Sequence, residues 1–304
     1  MGYHEGNKSK KYSTMIPAEN LDNTIKEFWP KNGPSTEEVK KYIKKYSKEK
    51  IVIKCGGRVL LDQSLLNNLI EDVIILKRLG LTPILVHGGG LGIKKKLDEQ
   101  NIKSKFIMGL RVTDEKMIKI VENVMTEFNN EIVKIFEKKL CKAKSITLKK
   151  NNIIYVDQEN KELGFVGKPK RIDVKLLKEI IKEDFVPIIV PMGLDDNGIQ
   201  YNINADTAAG AIARSIKSRR LMLLTDIDGV LDDNEKLISE INTMEAKKLI
   251  DKEVIHGGMI PKVKTCIDAI NNGVRAVVII DGRQPHSILF ELFSDKGAGT
   301  LIRK

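Results

Sequence analysis

Ile51-Val-Ile-Lys-Cys-Gly-Gly57 holds the first core strand that the sequence predicts. Its three β-branched residues predict a buried strand, and the two glycines that follow allow the backbone to turn sharply. The N–H groups of such a turn can point at one anion, and the ammonium of Lys54 can reach the same anion as a point charge. The alternative is a strand that ends in a glycine turn beside a solvated lysine. Similar signals recur at later strand ends with different polar groups, and this recurrence favours the anion site.

Length and composition limit the class of protein. The chain of 304 residues, of which 41% are hydrophobic, is long enough for two lobes with their own cores. No apolar run approaches the ~20 residues of a membrane span, and no apolar secretory segment is present, so we expect a cytoplasmic protein without a membrane partner. The three cysteines are widely spaced, which argues against a disulfide framework or a zinc site.

The net charge of +11 would suit either nucleic acid or small anions. Only 5% of the residues are aromatic, and the lysines are dispersed along the chain. Neither a stacking platform nor a concentrated basic stripe is therefore visible, and we expect small anions rather than nucleic acid.

Strands and helices alternate from residue 51 onward. An amphipathic helix from near Asp62 precedes a second strand, Pro83-Ile-Leu-Val-His-Gly-Gly-Gly90, and another helix follows at about 92–100. This order predicts an α/β fold, namely a three-layer αβα sandwich around a mainly parallel central sheet, with two lobes and an N-terminal helical extension. Ligands of such sheets lie at the carboxyl ends of the strands, so the glycine turns at 56–57 and 88–90 are expected to share one rim.

The predicted domain boundaries fall near residues 50 and 215. Residues 1–50 are expected to hold a disordered tail and a short helix, 51–215 the first lobe, and 216–304 the second. The helix carries Leu21, Ile25, Phe28 and Trp29 at helical spacing, and its apolar face either folds back on its own lobe or docks on another subunit. Residues 145–167, with an Asn151-Asn152 turn between apolar runs, predict an antiparallel hairpin.

The motif pattern excludes several classes of enzyme. No Gly-x-x-x-x-Gly-Lys-Ser/Thr loop occurs, and Gly88-Gly-Gly-Leu-Gly-Ile93 lacks the last glycine of a dinucleotide fingerprint. The chain has only 4 histidines, so catalysis by histidine is poorly supplied. Lysines beside glycines at strand ends suit instead the electrostatic stabilisation of a transferring phosphoryl group.

Asp206 lies close to the start of a predicted helix. One interpretation is that its carboxylate caps the first N–H groups of that helix. The other is that it points into a cleft and holds the ammonium groups of Lys54 and Lys262. The sequence favours neither interpretation over the other.

Three further polar side chains are candidates for binding a ligand. Asn202 and Asn204 lie at strand spacing, so their amides are expected to share one face, where they either donate to a ligand or supply ordinary hairpin polarity. Arg111 is flanked by apolar residues, and its guanidinium suits either a ligand carboxylate or an internal ion pair.

Six motifs together resemble those of the amino acid kinase family, and within it the members that phosphorylate N-acetyl-L-glutamate in arginine biosynthesis. They occur in the family's order between about residues 51 and 302. Each alone is a weak signal, whereas six in order are a strong one. The motifs are Ile-Lys-Cys-Gly-Gly, Val-His-Gly-Gly-Gly, Gly-Leu-Arg-Val-Thr-Asp, Tyr-Asn-Ile-Asn-Ala-Asp-Thr-Ala-Ala, Leu-Leu-Thr-Asp-Ile-Asp-Gly-Val-Leu and Gly-Gly-Met-Ile-Pro-Lys.

The resemblance implies transfer of the γ-phosphoryl group of ATP to the side-chain carboxylate of N-acetyl-L-glutamate. It implies that Lys54 and Lys262 stabilise the transferring group and that Asp206 orients both lysines. The implied phosphoryl-binding residues are Gly56, Gly57 and Gly89. The implied acetylglutamate-binding residues are Gly89, Gly90, Arg111, Asn202 and Asn204, with Arg111 on the α-carboxylate. A carboxylate nucleophile is already ionised at neutral pH, so no general base is needed.

The same resemblance places the nucleotide in the second lobe, with Mg2+ held mainly by the phosphates of ATP and by no predicted metal-ligand residue. The implied nucleotide-binding residues are Thr225, Asp226, Asp228, Gly229, Val230, Leu231, Gly258 and Met259.

The N-terminal helix and the tail from His286 to Thr300 are similar to those of the arginine-inhibited branch of this family. This similarity implies a homohexamer built as a trimer of dimers, in which the N-terminal helix links dimers. It also implies that L-arginine binds beside that helix as an inhibitor.

The chain departs from the family's pattern at Arg58, at Leu91-Gly92 and at Lys168-Pro169. The first two positions flank the expected phosphoryl site. Two other functions stay open: a related kinase that uses another acceptor such as aspartate or carbamate, and a catalytically weak arginine sensor. The presence of Lys54, Asp206 and Lys262 argues against the sensor.

Overall fold

The computed structural model describes residue 25 and residues 27–304. Leu21 and most of the expected N-terminal helix therefore lie outside the described residues. None of the helices among these residues is long and apolar enough to cross a bilayer.

The strands of the described residues are β1 (Lys50–Cys55), β2 (Thr82–His87), β3 (Phe106–Ile107), β4 (Leu110–Arg111), β5 (Ala143–Ile146), β6 (Ile154–Gln158), β7 (Gly167–Ile172), β8 (Val186–Ile189), β9 (Met192–Leu194), β10 (Gln200–Asn202), β11 (Arg220–Thr225), β12 (Glu240–Asn242), β13 (Ala276–Asp281) and β14 (Gly299–Arg303). Eight of them form one central sheet in the order β12-β14-β13-β11-β1-β2-β8-β5. All neighbours in this sheet run parallel except β13 and β14, which confirms the mainly parallel sheet.

Helices cover both faces of this sheet, which confirms the three-layer architecture. Side chains alternate along each strand, so Val52 of β1 packs in the core on one face while Ile51 and Ile53 pack in the core on the other. The α-helices are Thr36–Tyr46, Gln63–Arg78, Gly90–Glu99, Glu115–Lys138, Val174–Lys182, Ala205–Ser215, Thr243–Asp251, Met259–Asn271 and Ser287–Phe293, and the 3-10 helices are Gly57–Leu60 and Lys161–Leu163.

The central sheet runs without a break through both predicted lobes, because β1 pairs with both β2 and β11. The expected boundary at residue 215 coincides with the last residue of the helix Ala205–Ser215. Whether the two segments act as separate lobes stays a prediction.

A second, four-stranded sheet has the order β10-β9-β6-β7. It shows that the predicted hairpin across the Asn151-Asn152 turn is wrong, because β5 before the turn pairs with β8 of the central sheet while β6 after it pairs with β7. Both runs are apolar, and their partners are chosen by tertiary packing that the local pattern does not contain.

The described end of the N-terminal helix packs on its own chain. Ile25 is buried, and Phe28 and Trp29 lie against the same core cluster. The Trp29 ring meets the edge of Phe293 with 6.2 Å between centroids. Ile25, Phe28 and Trp29 therefore fold back on their own chain, which is the first of the two alternatives for this apolar face.

A buried ion pair joins the helix Gln63–Arg78 to the tail of the chain. His286 Nδ1 lies 2.6 Å from Asp72 Oδ1, and both side chains are largely buried. Burial raises the pKa of Asp72 to about 6. The hydrogen bond that His286 donates to the Asp72 carboxylate raises the pKa of His286.

This pair predicts a pH-dependent stability. Both groups hold protons in the folded chain that the unfolded chain has released, so the free energy of unfolding should fall as the pH rises from about 4 through 6 and past the raised pKa of His286. Urea unfolding at about pH 5 and about pH 8 should show a loss on the order of 1 kcal/mol or more. Asp72→Asn should remove most of this slope, whereas the exposed Asp233→Asn should keep it. An unchanged slope in Asp72→Asn would contradict the assignment.

Candidate active site

The two glycine turns meet at the carboxyl ends of β1 and β2, as predicted. The Gly88 N–H donates to the Cys55 carbonyl at 2.7 Å, which ties the end of one strand to the turn of the other. Gly57 has a φ of +58°, a left-handed conformation that favours glycine. A Cβ atom at Gly56 would lie 3.4 Å from Lys54 Nζ, so the ammonium lies directly over this glycine.

Asp206 is placed between two lysines that are far apart in the sequence. Its Oδ1 lies 2.9 Å from Lys54 Nζ, and its Oδ2 accepts a hydrogen bond from Lys262 Nζ at 2.5 Å. The approach of Lys54 is an ion pair rather than a hydrogen bond of good geometry. The three side chains are only 12–14% exposed. Of the two interpretations of Asp206, the structure supports the one in which it holds both lysines.

The charge of this cluster follows from its burial. Burial alone would raise the pKa of Asp206, but the positive charges of Lys54 and Lys262 outweigh it and lower the pKa to about 2. Asp206 is therefore ionised at neutral pH, and the cluster of two ammonium groups and one carboxylate carries one net positive charge at the rim of the sheet.

Asn204, not Asp206, caps the helix Ala205–Ser215. Its Oδ1 accepts from the N–H groups of Asp206 and Thr207. The prediction that Asn202 and Asn204 lie at strand spacing is therefore wrong, because β10 ends at Asn202. Asn204 prefers the cap because its short amide satisfies two otherwise unpaired helix N–H groups. Both asparagines still line the cavity described next, where only the NH2 group of Asn204 remains for a ligand.

A cavity of about 250 Å3 opens above the glycine turns. It brings together nine polar or glycine positions that the sequence predicted, and it adds an apolar wall that the sequence analysis missed. The predicted residues in its lining are Lys54, Gly56, Gly57, Gly89, Gly90, Arg111, Asn202, Asn204 and Asp206, and the apolar wall is formed by Ile93, Phe106, Leu110, Met125, Val166 and Ile203.

Arg111 lines the cavity and forms no internal ion pair with the described residues, which leaves its charge available to a ligand. Its guanidinium donates to Ser104 Oγ and to the Gly90 carbonyl, and it lies 4.7 Å from the centre of the Phe106 ring. Among the described residues, no carboxylate forms an ion pair with it. The sequence analysis missed Ser104 and Phe106. The available signal for Phe106 was Met108-Gly109, because the turn at these residues joins β3 to β4 and so places Phe106 opposite Arg111.

The residues implied for the nucleotide follow β11 and precede the helix Met259–Asn271. Thr225 ends β11, Asp226 and Asp228 are exposed beyond it, and Gly258 and Met259 begin the helix that carries Lys262. The cavity lining does not include them. Val230 is buried and its N–H donates to Thr300 Oγ1 at 2.8 Å, so this N–H is already satisfied. Gly229 and Leu231 flank it, and Leu231 bridges to Leu237.

Two helices begin at the site without a side-chain cap. Among the described helices of eight or more residues, only those with Gly89 and Gly258 as N-cap lack such a cap. At the helix that begins after Gly89, the first N–H groups have no acceptor among the described residues, so this end is favourable for an anion. At the other helix, the N–H groups of Met259 and Ile260 donate to the His256 and Gly257 carbonyls and Pro261 has no N–H group, so this end offers only the helix dipole.

The structure accounts for one departure from the family pattern. A Cβ atom at Gly92 would come within 2.5 Å of the Phe128 ring, so a glycine lets the helix Gly90–Glu99 pack closely on Glu115–Lys138. Leu91 and Arg58 are exposed, and Arg58 lies in the 3-10 helix after the first glycine turn.

Comparison with known proteins agrees with this geometry. Residues 49–281 match the model of the amino acid kinase family. The acetylglutamate kinase of Pelagibacter ubique is 61% identical over 275 residues, which cover 90% of this chain and 96% of that protein. The acetylglutamate kinase of Caldanaerobacter subterraneus is 45% identical over 269 residues, which cover 86% of this chain and 90% of that protein.

A solved structure shares the fold at lower sequence identity. The N-acetylglutamate synthase from Neisseria gonorrhoeae, complexed with coenzyme A and L-arginine, superposes with a TM-score of 0.78 at 24% identity. The match covers 88% of this chain and 64% of the synthase.

Proposed function

The chain belongs to the amino acid kinase family, and from that premise we propose that it is an ATP-dependent kinase of N-acetyl-L-glutamate. The observation that carries this proposal is the Lys54–Asp206–Lys262 cluster beside a cavity with Arg111 and Asn202 in its lining. The identity with curated acetylglutamate kinases over nearly their whole length supports this acceptor.

In the proposed reaction, a side-chain carboxylate oxygen of acetylglutamate attacks the γ-phosphorus of ATP. The new P–O bond gives an acyl phosphate, and the bond between the γ-phosphorus and the bridging oxygen breaks, so that its electron pair leaves with ADP. Negative charge spreads over the transferring oxygens in the transition state. The ammonium groups of Lys54 and Lys262 would stabilise that charge, and Asp206 would keep both groups aimed at it.

The glycine turns would supply further donors. We propose that the N–H groups of Gly56, Gly57 and Gly89 bind phosphoryl oxygens, because these turns meet beneath Lys54 at the floor of the cavity.

The cavity offers separate groups to the two ends of acetylglutamate. Arg111 is pre-oriented by Ser104 and Phe106 and would bind the α-carboxylate, while Asn202, Asn204 and Gly90 would bind the remaining polar groups. A pocket built around a carboxylate and an amide discriminates against acceptors that lack either group, because its polar side chains would be left unpaired.

The nucleotide would lie beyond β11 and the uncapped helix that begins after Gly258. The proposed contacts come from Thr225, Asp226, Asp228, Gly229, Leu231 and Met259, with Val230 packed beneath them. Mg2+ would be held mainly by the ATP phosphates, where it supplies charge neutralisation. Asp206 is not needed as a ligand of Mg2+ in this arrangement, because both its carboxylate oxygens already face lysines.

We also propose a cytoplasmic location, with which the three buried free cysteines agree.

ATP consumption with parallel acceptors tests the proposed function. The purified chain should consume ATP with N-acetyl-L-glutamate and show little activity with aspartate, glutamate or carbamate. Lys262→Ala should lower turnover by roughly 10²-fold or more, because it removes a donor that acts in the transition state.

Lys264→Ala is the matched control, since Lys264 lies on the same helix and is exposed. It should keep turnover close to that of the wild type. A loss below tenfold in Lys262→Ala would remove the assigned role of that lysine. Activity with aspartate or carbamate alone would favour the related kinase, and no activity with any acceptor would favour the arginine sensor.

We also propose that L-arginine inhibits the enzyme by binding at the opposite end of β11. Arg220, the first residue of this strand, is buried, and its Nε has no hydrogen-bond partner. The Glu291 carboxylate accepts from the Ala298 N–H at 3.0 Å, and burial raises its pKa. Free arginine offers a carboxylate to Arg220 and a guanidinium to Glu291.

The surroundings of Glu291 support an effector site. Lys41 lies 2.7 Å from Asp295, and Tyr42 also binds this carboxylate. The helix Thr36–Tyr46 is therefore tied to the loop that follows Glu291. A ligand bound between this helix and this loop would contact the end of the N-terminal segment at the helix Thr36–Tyr46. This placement agrees with the similarity of this region to the arginine-inhibited branch.

Glu291→Gln tests the arginine site. The change keeps the shape of the side chain but removes the charge that would pair with the guanidinium, so the arginine concentration for half inhibition should rise about tenfold or more. Each variant is compared with its own activity without arginine. The exposed Glu179→Gln should keep the wild-type response. Equal inhibition of Glu291→Gln and wild type would contradict the site.

We propose that the protein is a hexamer assembled from dimers. β5 is an outer strand of the central sheet, so a second copy could pair along its free edge. The segment before Trp29 would link dimers, as the family resemblance implies.

Light scattering of the purified chain tests the assembly. The mass should be about six times the chain mass of 34.2 kDa, and removal of residues 1–24 should lower it to about twice that mass. A full-length chain that remains a dimer would contradict the hexamer.

A further inference from the structure

A buried pair of polar side chains lies directly beneath the second glycine turn. His87, the last residue of β2, and Asn129, on the helix Glu115–Lys138, are both fully buried. Asn129 Nδ2 lies 3.1 Å from His87 Nε2 and 2.9 Å from the Ile188 carbonyl. His87 Nδ1 lies 3.0 Å from the Gly88 carbonyl oxygen. Neither side chain faces the cavity, and the phosphoryl-transfer step described above assigns them no role.

The Ile188 carbonyl fixes the direction of this chain of hydrogen bonds. A carbonyl only accepts, so the NH2 group of Asn129, rather than its oxygen, must face Ile188. The second hydrogen of that NH2 group then points at His87 Nε2, which must be the unprotonated ring nitrogen. Burial lowers the pKa of His87 to about 4, so the ring is neutral at pH 7 and carries its one proton on Nδ1. Nδ1–H therefore donates to the Gly88 carbonyl.

This hydrogen bond determines where the next N–H group points. The Gly88 oxygen belongs to the peptide bond between Gly88 and Gly89, which is trans. In a trans peptide the C=O and N–H groups point in opposite directions. With the oxygen held toward His87 below the turn, the Gly89 N–H is directed away from His87. Glycine would otherwise allow this peptide to rotate widely.

We infer that His87 is a positioning residue for phosphoryl transfer, which holds the Gly88–Gly89 peptide so that the Gly89 N–H faces the transferring group. Asn129 sets the tautomer of His87 and so acts one step further away. The inference rests on the proposed kinase function, because it gives the Gly89 N–H its task. It adds a residue that touches neither substrate nor nucleotide.

A pair of substitutions separates the two contacts of His87. His87→Asn places an amide NH2 near the position of Nδ1, so it keeps the bond to Gly88 and loses the contact with Asn129. His87→Gln reaches the position of Nε2, so it keeps the contact with Asn129 and loses the bond to Gly88. We expect His87→Gln to lower kcat by about tenfold or more, with KM for ATP and acetylglutamate within about threefold of wild type. His87→Asn should keep kcat within about threefold.

A second readout reports on the transition state without turnover. The affinity for ADP with aluminium fluoride and acetylglutamate should fall in His87→Gln as kcat does, while the affinity for ADP alone should not change. Equal losses in both variants, or no loss in His87→Gln, would overturn the inference, since a role in packing alone does not separate the two contacts.

The tautomer can be measured in the wild-type protein, independently of folding of the variants and of activity. Nitrogen NMR of the protein labelled with 15N-histidine should show His87 with a protonated Nδ1 and a bare Nε2 at about pH 7. A proton on Nε2 would overturn the inference even if both variants failed to fold. Absence of wild-type turnover with acetylglutamate would refute the proposed function instead, and the NMR result would still show whether His87 donates to Gly88.

Discussion

One carboxylate has to balance two ammonium groups in a place from which water is largely excluded, and the cleft depends on that balance. Without Asp206, two largely buried cations would face each other unpaired, at a cost of several kcal/mol each. With it, Lys54 and Lys262 are brought together from opposite parts of the chain. One positive charge is left over beside the cavity. That residual charge suits the proposed phosphoryl transfer, whereas an ordinary buried ion pair would be neutral.

The central sheet separates catalysis from the proposed regulation along a single strand. Thr225 ends β11 on the side of the proposed phosphoryl site, and Arg220 begins it near Glu291. Six residues of extended chain span roughly 20 Å. A ligand at either end of β11 is therefore too distant to touch the other, and any influence between the two sites must pass through the sheet and the helices packed on it.

The sequence predicted most of the strands and helices, and the shared rim, because each depends on local periodicity and on the rule for parallel sheets. Lys54, Asp206 and Lys262 were predicted to act together through the family resemblance, whereas residue spacing alone left Asp206 undecided. Asn204 was misjudged because it lies two residues after the end of a strand and directly before a helix, so it could continue the strand or cap the helix. In the structure it caps the helix. β5 was misassigned because its partner, β8, follows it in sequence by about forty residues. His87 and Asn129 had no local signal, since their contact joins two separate elements.

The unbroken sheet also has a mechanical consequence. β1 and β11 carry the two halves of the site and are joined by a parallel ladder of four residue pairs, from Ile51↔Arg220 to Lys54↔Leu223. Sliding or separating these strands would break the hydrogen bonds of the ladder, whereas a change in the twist of the sheet keeps them. We therefore expect the two segments to close around ATP and its acceptor by a twist of the sheet rather than about a hinge between them.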